Sequence, residues 1–188
     1  MKKIVLFASG NGTNAEQIIR FFKKDRLQTV VAVLSNNSEA KVIQKAKKQG
    51  VKTQLFTKIQ LNDGFVLEEL NKMKPDLIVL AGFLLKFPEQ IINAYPNKII
   101  NIHPALLPDY GGKGMYGMNV HKAVFENKAA QTGITIHYVT PNYDEGAIIF
   151  QKNVSISDCK SPQEIAEKVH QLEHNHFSEV IKKLLNEN

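Results

Sequence analysis

The sequence predicts an α/β fold: a doubly wound, mostly parallel sheet with helices on both faces and an antiparallel addition in the C-terminal half. Three observations indicate this fold class. Short, continuously apolar runs alternate with helical stretches, which is typical of parallel strands buried on both faces. A turn of small residues follows the first apolar run and precedes a helix. Beyond residue 130, two strand-like runs are separated only by a short turn, which indicates an antiparallel pair.

The first hundred residues predict strands and helices in alternation. Each strand rests on a short run of aliphatic or aromatic residues, and the helices rest on longer stretches in which apolar residues can share one face. Gly50 is the residue type expected just past a helix end. The predicted strands cover residues 4–8, 30–34, 51–56, 77–81 and 98–102, and the predicted helices cover residues 14–24, 39–49, 64–73 and 88–94.

The composition of the chain changes after residue 102, where prolines and glycines become frequent. Residues 103–117 contain two prolines and four glycines, which predict a long loop of the kind that is usually functional or mobile. A helix over residues 118–127 and strands over residues 133–139 and 147–154 follow. The last helix runs from Pro162 to about Leu185, with Ser161 as its N-cap.

Length and composition predict one globular domain and narrow the function classes. The net charge is +6, from 24 Lys and Arg against 18 Asp and Glu, but only two of the basic residues are Arg. Scattered lysines favour a solvated surface over nucleic-acid binding, which would show a steep salt dependence. No apolar run approaches the roughly 18 residues of a membrane helix. Because Cys159 is the single cysteine, no intramolecular disulfide is expected, and a cytoplasmic location fits.

The first turn, Gly10–Ala15, is a candidate anion site. It matches the loose dinucleotide pattern G-x-G-x-x-A, but no acidic residue follows the second strand to bind a ribose. Small residues before a helix still expose main-chain N–H groups where the helix dipole favours an anion. We therefore expect a monophosphate at Gly12, Thr13 and Asn14, with a merely tight turn as the alternative.

A second candidate site lies where a predicted strand ends. Residues two apart on a strand point to the same side, so Asn101 and His103 project together. An amide donor beside an imidazole suits acyl transfer, in which Asn stabilises the oxyanion and His supplies charge or a proton. Asp144 can be the carboxylate that raises the pKa of this imidazole. The alternatives are a histidine that only caps a strand end and an aspartate that only forms a turn.

The last helix contains a sequence pattern that resembles a metal site. His170, Glu173 and His174 satisfy the H-x-x-E-H pattern of some metalloproteases. A further ligand is normally well downstream, and the chain has too few residues after His174. We therefore predict no metal, and expect Glu173 and His170 to be polar contacts from a helix beside the pocket; a solvated helix face is the alternative.

Taken together, these motifs resemble one family across essentially the whole chain. With Asp144 and the Glu173–His174 pair, they resemble the phosphoribosylglycinamide formyltransferases, folate-dependent enzymes of purine biosynthesis. The segment N-x-H-P-x-L-L-P is shared by several formyltransferases, and its combination with S-G-N-G-[ST]-N is more specific. The motifs that carry the resemblance are Ser9–Asn14, Ala81-Gly82-Phe83 and Asn101–Pro108.

The resemblance implies transfer of the formyl group of 10-formyltetrahydrofolate to the amine of glycinamide ribonucleotide. Asn101 and His103 would stabilise the oxyanion, with His103 also the general acid and Asp144 its partner. The phosphate would bind at the first turn, and His170 and Glu173 would contact the ribose or glycinamide. Residues implied to bind the formyl donor are Leu84, Leu85, Lys86, Phe87, Asn101, Thr140, Pro141, Asn142, Tyr143 and Asp144.

The resemblance also implies an organisation and leaves alternatives. Within a single domain over residues 1–188, residues 1–100 would form the nucleotide-binding half and residues 101–188 the catalytic and folate-binding half, as a monomer or homodimer. Initiator-tRNA formyltransferases normally have an additional C-terminal domain, and formyltetrahydrofolate hydrolases an additional N-terminal one, so the length argues against both. A non-catalytic nucleotide-binding module remains the alternative from a different class.

Overall fold

The computed structural model describes residues 1–187 and has the predicted alternation of strands and helices. The strands are β1 (Lys2–Phe7), β2 (Gln28–Ser35), β3 (Lys52–Leu55), β4 (Leu77–Leu80), β5 (Ile99–His103), β6 (Gln131–Tyr138) and β7 (Ile148–Ser155). The helices are α1 (Thr13–Phe22), α2 (Lys41–Lys48), α3 (Lys58–Asn62), α4 (Phe65–Met73), α5 (Glu89–Ala94), α6 (Met118–Glu126) and α7 (Pro162–Glu187).

All seven strands form one sheet in the order β3-β2-β1-β4-β5-β6-β7. Strands β1 to β5 pair in parallel, and β5-β6 and β6-β7 pair antiparallel, which confirms the predicted fold class. The chain moves outward from β1 to β2 and β3, then crosses to β4 on the other side of β1. In open α/β sheets, ligands bind at the carboxyl ends of the strands that flank such a switch point.

Apolar packing covers both faces of the sheet. Side chains alternate along β1, so that Ile4 and Leu6 join the core beneath α1 and α7, while Val5 and Phe7 join the core beneath α4. Each of these four side chains is fully buried. Both faces of the central strands are therefore covered, which explains why residues 4–7 of β1 and all four residues of β4 are apolar.

Two local features differ from the predictions. Helix α3 was not predicted, because five residues are too short for a periodic apolar pattern. Its signal was the capping box at Thr57 and Gln60, in which each side chain binds the other residue's main chain. Strand β5 also extends one residue beyond its predicted end, so His103 is a strand residue.

Helix α7 begins as predicted and crosses the site. The Ser161 hydroxyl accepts a hydrogen bond from the Glu164 main chain at 3.3 Å, and Pro162 is the first helical residue. The helix packs against α1, α6 and β6, which carries its middle turns across the end of the sheet. Within residues 1–187, the helices fall short of the length and apolarity that a membrane span needs.

Candidate active site

A cavity of about 620 Å³ opens at the carboxyl ends of β1 and β4, at the switch point of the sheet. Its walls come from the turn after β1, the segment after β4, the end of β5, the loops at residues 110–117 and 140–144, and α7. Each site residue predicted from the sequence lines this cavity. Segments far apart along the chain therefore meet at the place where this fold class binds ligands.

Asn101 and His103 lie on the same side of β5, as predicted, and are paired with polar residues of β6. Asn101 is opposite His137, and His103 is opposite Thr135. Nδ1 of His137 lies 2.8 Å from the Tyr138 carbonyl and therefore carries the proton. Its Nε2 lies 3.2 Å from the Asn101 amide nitrogen, so this contact joins the two strands beside the site.

His103 is almost completely buried and has a polar neighbour at each ring nitrogen. Nε2 donates to the Tyr110 carbonyl at 2.8 Å, and Nδ1 lies 3.6 Å from Oδ2 of Asp144. Burial has the largest effect on the pKa of His103 and lowers it, while the charge of Asp144 acts in the opposite direction. The expected carboxylate partner is present, but the pKa rise expected from it is outweighed by desolvation.

Asp144 is held from several sides. The Gly112 N–H donates to Oδ2 at 2.9 Å, and Nε2 of His137 lies 3.5 Å from Oδ1. Burial alone would raise the pKa of this carboxyl, but His137, the charge of His103 and the Gly112 hydrogen bond keep it below the ordinary value. The Asp144 main chain is left-handed, with φ of 57°, so this residue is at once a turn residue and the partner of the imidazole.

Thr135 supports the chain that leaves β5. Its buried hydroxyl donates to the Ala105 carbonyl at 2.7 Å and accepts from the Leu107 N–H at 3.0 Å. The Gln151 amide binds both this hydroxyl and the Leu107 carbonyl at 2.9 Å. This network fixes the backbone directly after His103, so the polar face of β6 is buried against the site and does not face water.

The turn after β1 forms one end of the cavity. Gly12 has φ of 68° and immediately precedes α1, whose first turn is not capped by a side chain. A Cβ at Gly12 would lie 2.3 Å from Cβ of Val42, so the turn packs directly against α2. The free N–H groups of this helix start are arranged to bind an anion.

Helix α7 contributes a charged pair to the same end. Oε2 of buried Glu173 accepts from the Asn14 amide at 2.9 Å and lies 2.8 Å from Nδ1 of His170. Nε2 of His170 lies 2.8 Å from the Thr13 hydroxyl. The hydrogen bond to Glu173 raises the pKa of His170, which favours the cationic form of the imidazole beside Thr13. Residues 1–187 contain no group of three or more His, Cys, Asp or Glu side chains placed to hold a metal ion.

Another part of the cavity wall, the apolar mouth, carries the exposed side chains of Leu84 and Tyr143. Leu84 and Tyr143 expose 52% and 42% of their surface there, although both are large side chains. The Leu84 N–H donates to the Ser9 hydroxyl at 3.0 Å, and Nζ of Lys86 lies 6.0 Å from the centre of the Tyr143 ring. Phe87 differs from its neighbours, since its ring packs in the core, 5.1 Å from that of Phe7.

Three contributors to the site were not predicted from the sequence. The Tyr110 carbonyl and the Gly112 N–H are main-chain groups, which every residue type carries, so no sequence pattern marks them. His121, on α6, is buried and lines the cavity. The sequence feature that could have indicated His121 is its position in the helix that directly follows the glycine-rich loop.

The family model described as "Formyl transferase" matches residues 2–181. The chain is 39% identical to the chloroplastic phosphoribosylglycinamide formyltransferase of Vigna unguiculata, covering 99% of this chain but only 62% of that protein. It is 35% identical to the phosphoribosylglycinamide formyltransferase of Bacillus subtilis (strain 168), with 98% of this chain and 95% of that protein covered.

A solved structure agrees along the whole chain. The crystal structure of phosphoribosylglycinamide formyltransferase from Anaplasma phagocytophilum superposes with a TM-score of 0.90 at 28% identity, covering 99% of this chain and 88% of that one. The match therefore includes the parallel part of the sheet, the antiparallel strands and the long last helix. The chain belongs to the formyl transferase family, and within it to the phosphoribosylglycinamide formyltransferases that its sequence motifs resemble.

Proposed function

We propose that this protein transfers the formyl group of 10-formyltetrahydrofolate to the amine of glycinamide ribonucleotide, giving formylglycinamide ribonucleotide and tetrahydrofolate. One observation carries the proposal: Asn101, His103 and Asp144 meet in a single cavity whose wall also contains the anion turn, at the uncapped start of α1, and the apolar mouth at Leu84 and Tyr143. An amine substrate with a phosphate matches the anion turn, and a formyl donor with an aromatic ring system matches the apolar mouth.

The ribonucleotide binds with its phosphate at Gly12, Thr13 and Asn14. The uncapped start of α1 supplies N–H groups and the positive end of a helix dipole. The cationic form of His170 adds charge of the required sign beside Thr13. Glu173 accepts hydrogen bonds from the ribose hydroxyls or the glycinamide, and its carboxylate is already oriented by Asn14.

The formyl donor binds at the apolar mouth. Its pterin lies between Leu84–Phe87 and Thr140–Asp144, where main-chain groups can pair with the ring edge and Leu84 and Tyr143 offer apolar surface. This placement brings the formyl carbon toward Asn101 and His103 and leaves the far end of the donor outside. The bound pterin then covers the exposed apolar surface of Leu84 and Tyr143.

The reaction is an addition followed by an elimination. The substrate amine attacks the formyl carbon, a C–N bond forms, and the carbonyl oxygen becomes an oxyanion that accepts a hydrogen bond from the Asn101 amide. Asp144 accepts the amine proton through a water molecule. Asp144 passes this proton to Nδ1 of His103, which lies 3.6 Å from its Oδ2. The bond from carbon to N10 of the folate then breaks, and the imidazolium of His103 delivers a proton to N10, which returns both side chains to their starting states. One proton leaves the amine and one reaches the leaving nitrogen, so the step balances.

Asp144 is needed because burial disfavours the protonated imidazole. Burial lowers the pKa of His103, so the ring of the empty site is mainly neutral at neutral pH. The Asp144 carboxylate opposes this effect, and the negative charge of the intermediate adds to it. His103 therefore becomes a stronger base as the oxyanion forms, which is the moment at which it must hold a proton.

The remaining parts of the proposal concern organisation. The protein acts as a single domain over residues 1–188, with nucleotide binding centred on residues 1–100 and catalysis on residues 101–188. Each half also contributes to the other half's site. Helix α7, from the second half, borders the anion turn, and Leu84, from the first half, borders the apolar mouth. We further propose a cytoplasmic location, small-molecule substrates only, and a monomer or homodimer.

The test is an assay of the purified full chain with glycinamide ribonucleotide and 10-formyltetrahydrofolate, in which folate absorbance is followed. We expect tetrahydrofolate to form only when both substrates are present. Release of formate without the ribonucleotide would identify a hydrolase instead. Ribonucleotide binding without turnover would indicate a binding module and overturn the proposed reaction.

A further inference from the structure

His121 is a buried histidine of the cavity wall that the proposed reaction does not use. It lies in the first half of α6, only 6% of its surface is exposed, and the ring borders the cavity. Nδ1 is enclosed without a hydrogen-bond partner in the part of the chain that the structure describes. A buried polar atom without a hydrogen bond lowers the free energy of unfolding, so the position of this ring reduces the stability of the protein.

Helix α6, which carries His121, packs against α7, the helix that contributes Glu173 and His170 to the cavity wall. Glu173, His170 and His103 all act on the pKa of the ring, the first raising it and the other two lowering it. Burial has the largest effect and lowers the pKa further, so the ring is neutral at neutral pH. A neutral imidazole carries one N–H and one bare nitrogen.

The enclosed nitrogen decides which tautomer is favoured. A proton on Nδ1 would be a buried N–H without an acceptor, which is rarer in proteins than an acceptor that lacks a donor. The proton therefore belongs on Nε2, which is not among the enclosed atoms, on a ring whose accessible part faces the cavity. This arrangement presents a hydrogen-bond donor to a bound molecule.

We propose that Nε2 of His121 donates a hydrogen bond to an oxygen of the phosphoribosyl half of the ribonucleotide, and that His121 is a binding residue for this substrate. The inference rests on the proposed function. The packing of α6 against α7, which carries Glu173 and His170, favours the phosphoribosyl half over the pterin, whose proposed contacts are at Leu84 and Tyr143.

The experiment compares His121→Leu, which removes the donor, with His121→Gln, whose amide nitrogen can replace Nε2. His176→Leu is the matched control, because His176 lies on α7 against Phe150, with ring centres 5.2 Å apart, and does not border the cavity. Three quantities are measured on the full chain: calorimetric Kd for glycinamide ribonucleotide and for ribose 5-phosphate, KM and kcat for both substrates, and the unfolding temperature.

We expect His121→Leu to weaken ribonucleotide and ribose 5-phosphate binding about tenfold, as for one lost hydrogen bond, with KM for the formyl donor unchanged. The unfolding temperature should stay the same or rise, because an unpaired buried nitrogen is removed. His121→Gln should restore affinity to within about threefold of the original. His176→Leu should alter neither affinity nor turnover.

Three outcomes would overturn this inference: unchanged ribonucleotide affinity in His121→Leu, a rise in KM for the formyl donor alone, or equal loss of affinity and stability in both His121 variants. The last outcome would indicate a purely structural histidine. If the unmodified protein binds the ribonucleotide through His121 but transfers no formyl group, the proposed reaction fails while this inference stands. Ribonucleotide binding absent from the unmodified protein would overturn both.

Discussion

Nδ1 of His103 lies 3.6 Å from Oδ2 of Asp144, and one loop holds both residues. The Tyr110 carbonyl accepts from Nε2 of His103 at 2.8 Å, and the Gly112 N–H donates to Asp144 at 2.9 Å. Gly111, between them, packs closely against its surroundings, since a Cβ there would lie 2.6 Å from Cδ2 of Leu107 and 3.3 Å from Cβ of Asp144. The conformation of residues 110–112 therefore sets the geometry of the imidazole and the carboxylate together.

The first prediction concerns turnover. His103→Gln and Asp144→Asn should each lower kcat by about 100- to 10,000-fold, because they remove proton transfer or its support in the transition state. KM for both substrates should change little, because His103 is not assigned to substrate binding and the pterin is proposed to pair with main-chain groups of residues 140–144, which Asp144→Asn retains. Steady-state kinetics measures both constants, and His176→Gln is the control. Near-normal turnover of His103→Gln would contradict the assigned mechanism.

The second prediction concerns the pKa of His103. The negative charge of Asp144 raises this pKa against the larger effect of burial, so Asp144→Asn should shift the His103 titration to lower pH. NMR titration of the imidazole measures the shift. Glu145→Gln is the control, because Glu145 is exposed and its carboxylate pairs with the Asn142 amide at 2.8 Å. An unchanged titration in Asp144→Asn would show that the two groups do not interact electrostatically.

The third prediction separates backbone strain from steric collision at the anion turn. Gly12→Ala should raise KM for the ribonucleotide and destabilise the protein, since φ is 68° and the new Cβ would lie 2.3 Å from Val42. Gly50→Ala has a similar positive φ of 80° but no atom within 4 Å, so it is the matched control. We expect it to cost about 1 kcal/mol of backbone strain and to leave KM unchanged. Equal effects of the two substitutions on KM would argue against an anion site at Gly12.

The fourth prediction uses two buried threonines of β6. Thr135→Val should destabilise the protein by about 2 kcal/mol, because the Ala105 carbonyl and the Leu107 N–H lose their partner. Thr132→Val should be neutral or slightly stabilising, because the hydroxyl of Thr132 is buried without a hydrogen bond. Chemical denaturation at neutral pH compares the two free energies of unfolding. A larger loss for Thr132→Val would contradict the assigned role of the Thr135 network.

Several features could be predicted because they depend on local sequence. Apolar runs such as that of β1 indicate buried parallel strands, and the turn at Gly12 indicates a helix start that can bind an anion. The spacing of Asn101 and His103 indicates that they share a face, because side chains alternate along any strand. Helix α3 was missed for the same reason, since five residues carry too short a pattern.

Other features required the tertiary structure. The sequence indicated Asp144 as a partner for His103, but only the antiparallel strands β6 and β7 place the two 3.6 Å apart. The direction of the His103 pKa shift also depends on how deeply the ring is buried, which no local pattern reveals.

By itself, the sequence determined the strands, the helices and the chemical types of the groups at the strand ends, because these follow from side-chain periodicity and composition. The tertiary structure decided which of those groups meet, which main-chain atoms of residues 110–112 hold them, and that His121 faces the same cavity. The physical reason is that contacts between distant segments depend on sheet order and packing, and desolvation depends on everything that surrounds a group.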